Sequence, residues 1–177
     1  MLHILLATDA AFGIGNAGDL LFRIPADLKQ FRRLTTGQII IMGRKTLDSL
    51  PGGRALPKRD NIVLTRDPYF TRENVTSVTD VSTLAEALRT LDPNGEKEHY
   101  LIGGAGALHA LWPLCNKATL TFLRRRYRIA DTYIPNLEED PDWILESETD
   151  PVPFEDTFYT VRTYLRQPTE SGAAPLA

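Results

Sequence analysis

Cysteine is almost missing from this chain. Cys115 stands alone among 177 residues, so no disulfide can form within the chain, and a reducing compartment is expected. Its surroundings, "LWPLC", offer no acidic or basic partner, which points to a small core residue and not to a nucleophile. Excess positive charge is missing too. Twenty Lys and Arg against 23 Asp and Glu leave a net charge of -3, unlike a general nucleic-acid binder. The one basic block, Arg124–Arg126, lies in "TLTFLRRRYRI", which reads as a strand, so a solvated hairpin end is expected there. No run approaches the ~18 apolar residues of a membrane span. The opening "MLHILLATDAAFG" lacks a basic start, so it is not read as a signal peptide. A cytoplasmic protein without an anchor is expected. His3, His99 and His109 are scattered and no acid cluster joins them, so no metal site is expected.

What remains is the composition of an ordinary globular protein. The length suits a single domain, 1–166, that buries roughly two thirds of its unfolded surface. The end, 167–177, is small, polar and Pro-containing, and reads as a disordered tail. Leu2–Thr8, "QIIIMG", "NIVLT" and "EHYLIGG" read as short buried strands. Pro25–Leu34, "RKTLDSL", "STLAEALRTL" and "AGALHALWPL" read as helices, the third with Thr83 and Glu86 in a capping box. "KATLTFLRRRY" and "FEDTFYTVRTYLR" read as long antiparallel strands. Strand–helix alternation ending in two long strands predicts a mostly parallel α/β sheet with an antiparallel C-terminal edge.

Three glycine motifs need weighing. Gly13, Gly15 and Gly18 spell a dinucleotide fingerprint, but Pro25 starts the next helix too late to meet a pyrophosphate, and no acid follows at a second strand tip. A mobile loop is the better reading. "GQIIIMGRKT" has one residue too many for a P-loop, and Arg44 where lysine belongs. "LIGGAGALHAL" places two glycines between a strand and a helix, a good anion site by geometry although weak alone. "MGRKT" has the same form with two cations at a helix start, which a bound polyanion would relieve. "VLTR" ends a third strand on Thr65 and Arg66. Three strand ends with phosphate-compatible groups suggest a large phosphorylated cofactor.

Asp27 falls in the first turn of the Pro25 helix, where any acid suits the dipole. Phe22, Ile24, Leu28 and Phe31 surround it with apolar chains, and no Lys or Arg stands at i+3 or i+4. Such an acid is expected to be partly desolvated, with a raised pKa, and suited to hold a cationic or amidine-like heterocycle.

These residues, in this order and spacing, resemble the dihydrofolate reductase family of the bacterial chromosomal type. The stretches that carry the resemblance are "GIGNAGDLLFRIPADLKQF", "IIMGRKTLDSL", "LPKRDNIVLTR", "YLIGGAGAL" and "TLTF…ADTYIPNL". The resemblance implies a central eight-stranded, mostly parallel sheet, seven strands parallel, with an antiparallel C-terminal strand and four flanking helices. It implies NADPH-dependent reduction of 7,8-dihydrofolate to tetrahydrofolate, with hydride to C6 and a proton to N5.

By the same resemblance Asp27 is the pocket acid, Thr121 the hydroxyl supporting it, and Leu5, Leu28, Phe31, Leu50 and Ile102 line the pterin and benzoyl rings. Arg59 grips the substrate's α-carboxylate. Arg44, Thr65 and Arg66, with Leu64 beside them, surround the 2′-phosphate. Gly43, Lys45 and Thr46 on one side, and Gly103, Gly104, Ala105 and Gly106 on the other, hold the pyrophosphate. Ala7, Ile14, Gly15 and Leu20 line the nicotinamide, and residues 14–22 form the lid over it.

Some positions depart from the family's usual residues. Phe22 stands in place of a catalytic-site tryptophan, Leu21 of a proline, Leu108 of a tyrosine that touches nicotinamide, Ala55 of a proline and Ala130 of a glycine. The expected ligands are dihydrofolate, antifolates and NADPH, with no nucleic acid or membrane partner, and the chain is expected to act as a monomer. A reductase of another pterin or of a riboflavin-pathway pyrimidine, and a silent binding relative, stay open at this stage.

Overall fold

Short apolar runs bounded by glycine and polar turns become strands, and their order along the chain sets the sheet. The computed structural model describes residues 1–168. In chain order the strands are β1 (Leu2–Thr8), β2 (Gly13–Asn16), β3 (Asp19–Leu20), β4 (Ile39–Gly43), β5 (Asp60–Leu64), β6 (Val75–Val78), β7 (His99–Leu101), β8 (Cys115–Leu123), β9 (Thr132–Tyr133), β10 (Trp143–Glu148), β11 (Val152–Phe154) and β12 (Thr157–Arg166). The helices are α1 (Pro25–Thr35), α2 (Arg44–Ser49), α3 (Val81–Leu91) and α4 (Ala105–Leu111).

The main sheet runs β10-β12-β8-β1-β7-β4-β5-β6, and β11 adds a ninth strand against β12. β8, β1, β7, β4, β5 and β6 pair in parallel. β12 is antiparallel to both β8 and β10, so β10 runs with the parallel set. The expected direction of the C-terminal strand is found, but β12 is not the edge. β10 pairs outside it, and the acids of "WILESE" hid that strand from a search for alternation.

β4 explains the parallel half. Ile39, Ile40, Ile41 and Met42 have no exposed surface, as a strand covered on both faces requires. Each such side chain contributes roughly 1.5–3 kcal/mol by leaving water. One face packs Leu2, Ile4, Leu84, Leu88 and Leu111 into the larger core cluster. The other packs Leu5, Met42, Leu47, Val63 and Phe70 beneath Phe31 and Leu34 of α1. The cap of α3 differs from expectation. Asp80 accepts from the Thr83 amide at 2.8 Å while the Thr83 hydroxyl accepts from the Asp80 amide at 3.1 Å, so the box is Asp80–Thr83 and Glu86 has no part in it.

Arg124–Arg126 follow β8, and the first two meet acids, Arg124 standing 3.9 Å from Glu148. Arg125 pairs with Glu155 at 2.6 Å in the β11–β12 turn, so the basic block ends β8 beside a hairpin and is not itself the hairpin end that was expected. Cys115 is buried, its thiol pushed up to about 12 by burial, as an inert core residue should be. The expected tail lies mostly outside the described residues; its first residue, Gln167, donates its amide to the Asp142 carbonyl at 2.7 Å.

Candidate active site

α1 begins without a side-chain cap. Ile24 is the extended N-cap residue, Pro25 supplies a fixed φ at the first helical position, and Asp27 is the acid of the first turn. The Asp27 carboxylate faces β8, where it accepts a short hydrogen bond from the Thr121 hydroxyl. Thr121 pairs with Ala7 across β1 and β8 and is itself buried. Among the described residues no Lys or Arg pairs with Asp27. Burial raises its pKa above the ordinary carboxylate range, and the Thr121 bond opposes this only in part.

Apolar chains gather on the same face of the sheet. Leu5, Phe31, Leu50 and Ile102 belong to one cluster, so β1, α1, the end of α2 and the end of β7 converge there. Leu28 begins this wall at the mouth and stays 45% exposed. At the far end of α1 stands Arg59. Its Nε donates to the Thr35 hydroxyl at 2.8 Å and its Nη1 to the Pro57 carbonyl at 2.8 Å. Burial and then the neighbouring Arg32 depress its pKa, the mark of a cation with no carboxylate beside it. Thr35 was overlooked in the sequence. It is fully buried, bonds back to the Phe31 carbonyl at 2.7 Å, and sets the direction of Arg59. Asn61 was overlooked too: its side chain bonds Leu56 and the Arg59 carbonyl, and so fixes the loop that carries the arginine.

The carboxyl ends of β4 and β7 lie side by side. The Gly43 amide donates to the Gly103 carbonyl at 2.9 Å, and a Cβ on Gly104 would stand 3.3 Å from the Thr46 hydroxyl. The Gly103–Gly104 peptide is cis. α2 and α4 start here on Gly43 and Gly104, and neither has a side-chain cap. Two sets of helix-start amides therefore point outward without side-chain partners, as a pyrophosphate would need. Arg44 is exposed, lies over the Phe70 ring at 4.6 Å and stands 3.7 Å from Asp67. The Asp67 amide in turn bonds the Thr65 hydroxyl. Arg66, Lys45, Ala105 and Gly106 are exposed around this rim, while Leu64 packs against the core. A phosphorylated dinucleotide fits this donor set.

The expected mobile loop is a hairpin. β2 and β3 pair through a two-residue turn at Ala17 and Gly18, both at positive φ, and β9 holds β2 from its other side. The Ala17 amide donates to Asp131 Oδ2 at 2.8 Å. Ile14 and Gly15 are buried, and Leu20 is 48% exposed on the outer strand. Leu108 lies in the larger core cluster, only 2% exposed. Phe22 packs with Ile24, Leu123 and Tyr159 in a third cluster and stacks on Tyr127, ring centres 5.7 Å apart.

Two cavities lie at the opposite, amino ends of the strands. One of about 860 Å³ is lined by Ala55–Asn61, Asn74 and Lys97, so Arg59 borders it from the tail end of the site, and one of about 750 Å³ is lined by His3, Asp92 and His99. Their central polar groups pair with each other, Lys97 with Asp60 at 2.8 Å and His99 with Asp92 at 2.9 Å. The chemistry collects at the carboxyl ends, where ligands of open α/β sheets bind.

Fold and site together define a class: an α/β protein with a half-buried acid on an apolar wall and a phosphate-compatible rim at the ends of adjacent parallel strands. The chain belongs to the dihydrofolate reductase family, whose sequence profile matches residues 1–166. The dihydrofolate reductase of Bacillus subtilis is 34% identical over 147 residues, 83% of this chain and 82% of that protein. That of Haemophilus influenzae is 36% identical over 143 residues, 81% of this chain and 83% of that one. The solved dihydrofolate reductase of Enterococcus faecalis, complexed with NADP(H) and the compound RAB-propyl, superposes with a TM-score of 0.78 at 28% identity, covering 95% of this chain and 97% of that one.

Proposed function

We propose that this chain carries out the reaction of its family, NADPH-dependent reduction of 7,8-dihydrofolate to 5,6,7,8-tetrahydrofolate, with the residues below in named roles. The single observation that carries the reading is Asp27: a carboxylate desolvated on an apolar wall, bonded to Thr121, with no cation paired to it among the described residues. Its two oxygens would accept from N3 and the 2-amino group of a pterin, Oδ1 keeping Thr121 as well, a fork that favours the protonated ring. Leu5, Leu28, Phe31, Leu50 and Ile102 enclose the rings and keep water from them. Arg59, directed by Thr35, takes the α-carboxylate of the glutamate tail. Arg59 also favours dihydrofolate over a pterin or pyrimidine without that tail, since it would then have no partner.

NADPH, when bound, supplies the hydride to C6. Gly43, Lys45, Thr46, Gly103, Gly104, Ala105 and Gly106 would hold its pyrophosphate, with Arg44, Leu64, Thr65 and Arg66 at the 2′-phosphate. Ala7, Ile14, Gly15 and Leu20 would line the nicotinamide under the lid. Phe22 stands beside the site without a polar atom, so the proton for N5 must come from water that it does not hold. Antifolates would compete on Asp27. The reading takes the chain as a monomer, and the lone buried thiol suits the cytoplasm.

The test is Asp27→Asn. Turnover at neutral pH should fall on the order of 10²–10⁴-fold while NADPH still binds, read by steady-state kinetics and fluorescence titration. Full activity in this variant would remove Asp27 from its role.

A further inference from the structure

We propose that Tyr127 is a positioning residue for the reaction, fastening the two ends of the lid at once, one through its backbone and the other through its ring. The proposal rests on the reading of residues 14–22 as the lid.

At the amino end, Asp9 is a fully buried carboxylate with no role in the chemistry. Its two oxygens serve different segments. Oδ1 accepts from the Ala11 amide at 2.9 Å and the Gly13 amide at 2.8 Å, which shapes the turn into the lid. Oδ2 accepts from the Tyr127 amide at 2.9 Å. At the carboxyl end of the lid, the Phe22 ring stacks on the Tyr127 ring with only 16° between their planes. Among the described residues the Tyr127 hydroxyl meets only Arg125 Nη1, at 3.4 Å, so neither attachment depends on it. One residue thus braces both the point where the lid leaves β1, beside the Ala10 amide that donates to the Arg125 carbonyl at 2.9 Å, and the point where it returns to α1, five positions before Asp27 in the sequence.

A lid displaced by about 1 Å costs catalysis far more than it costs binding of a substrate held from the α1 side. The atoms of Asp9 make the backbone attachment separable. In Asp9→Asn the remaining oxygen can keep Ala11 and Gly13, but an amide NH₂ then faces the Tyr127 N–H, donor against donor. Tyr127→Leu keeps apolar bulk in the cluster and removes the stack. Tyr127→Phe keeps both attachments.

The experiment is amide hydrogen exchange across residues 13–20 in the ligand-free protein, with kcat and KM for dihydrofolate measured on the same variants. Tyr127→Leu and Asp9→Asn should each speed exchange about tenfold and lower kcat about three- to tenfold, with KM nearly unchanged. Tyr127→Phe should match the parent in both readouts. Parental exchange and kcat in Tyr127→Leu would overturn the proposal, as would a Tyr127→Phe defect equal to that of Tyr127→Leu. If the parent protein turns over no dihydrofolate, the functional reading fails by itself, and the exchange rates still decide whether Tyr127 holds the lid.

Discussion

Arg59 owes its place in the account to what is not beside it. Its guanidinium bonds a hydroxyl and a carbonyl, no carboxylate pairs with it among the described residues, and Arg32 repels it. Arg59→Ala should raise KM for dihydrofolate at least about tenfold and change kcat much less, the signature of lost uniform binding. Thr35→Val should shift KM in the same direction by less, because the arginine survives but loses its guide. A parental KM in Arg59→Ala would favour a substrate without the glutamate tail. His3 makes a different prediction. Burial, then the nearby Lys117, lowers its pKa to about 4 from 6.5. Between those values the unfolded chain binds a proton that the native state refuses. Stability is therefore full above pH 6.5 and falls as pH drops toward 4, by about 3 kcal/mol in total. Urea unfolding at pH 7 and pH 4 should show this loss, and His3→Gln should be missing it.

Among the elements, α1 was readable because its proline, its first-turn acid and its apolar face are all local signals. Asp27 stood out for the same reason: the residues at i+3 and i+4 are Gln30 and Phe31, so its lack of a helical ion-pair partner is visible in the sequence. Its hydroxyl partner lies 94 positions away, and only family resemblance pointed to Thr121. Asp9, Thr35, Asn61 and Tyr127 were missed because their roles depend on contacts between distant loops. The cap of α3 was misplaced for a smaller reason. Asp80 is followed by β-branched Val81, a weak helix former, whereas Thr83 looks like a cap by residue type and is the other half of the same box. Asp80→Ala should cost about 1 kcal/mol in denaturant unfolding and leave kcat unchanged, since α3 packs on the face away from Asp27. The lid was read as a loop because its glycines mask a hairpin. Gly15 is there for space: a Cβ would stand 3.0 Å from the Asp19 carbonyl. Gly15→Ala should break the β2–β3 pairing and lower kcat, with thermal stability of the main sheet retained.

Across the whole molecule, the order of strands decides where chemistry can occur. Six parallel strands point their carboxyl ends the same way, and Ala7, Gly43, Thr65, Gly103 and Thr121 all arrive at that end or near it. The parallel half was legible because its strands are short, continuously apolar and separated by helices. The antiparallel end was half legible: β8 and β12 are long, whereas β10 and β11 are short, rich in acid or proline, and defined by their pairing with β12. The measurement that bears most directly on the central claim is turnover of purified protein with dihydrofolate and either NADPH or NADH, followed by loss of reduced-nicotinamide absorbance with and without methotrexate. Turnover that prefers NADPH and stops with the antifolate is the predicted result. Bound NADPH with no turnover of dihydrofolate would contradict the account.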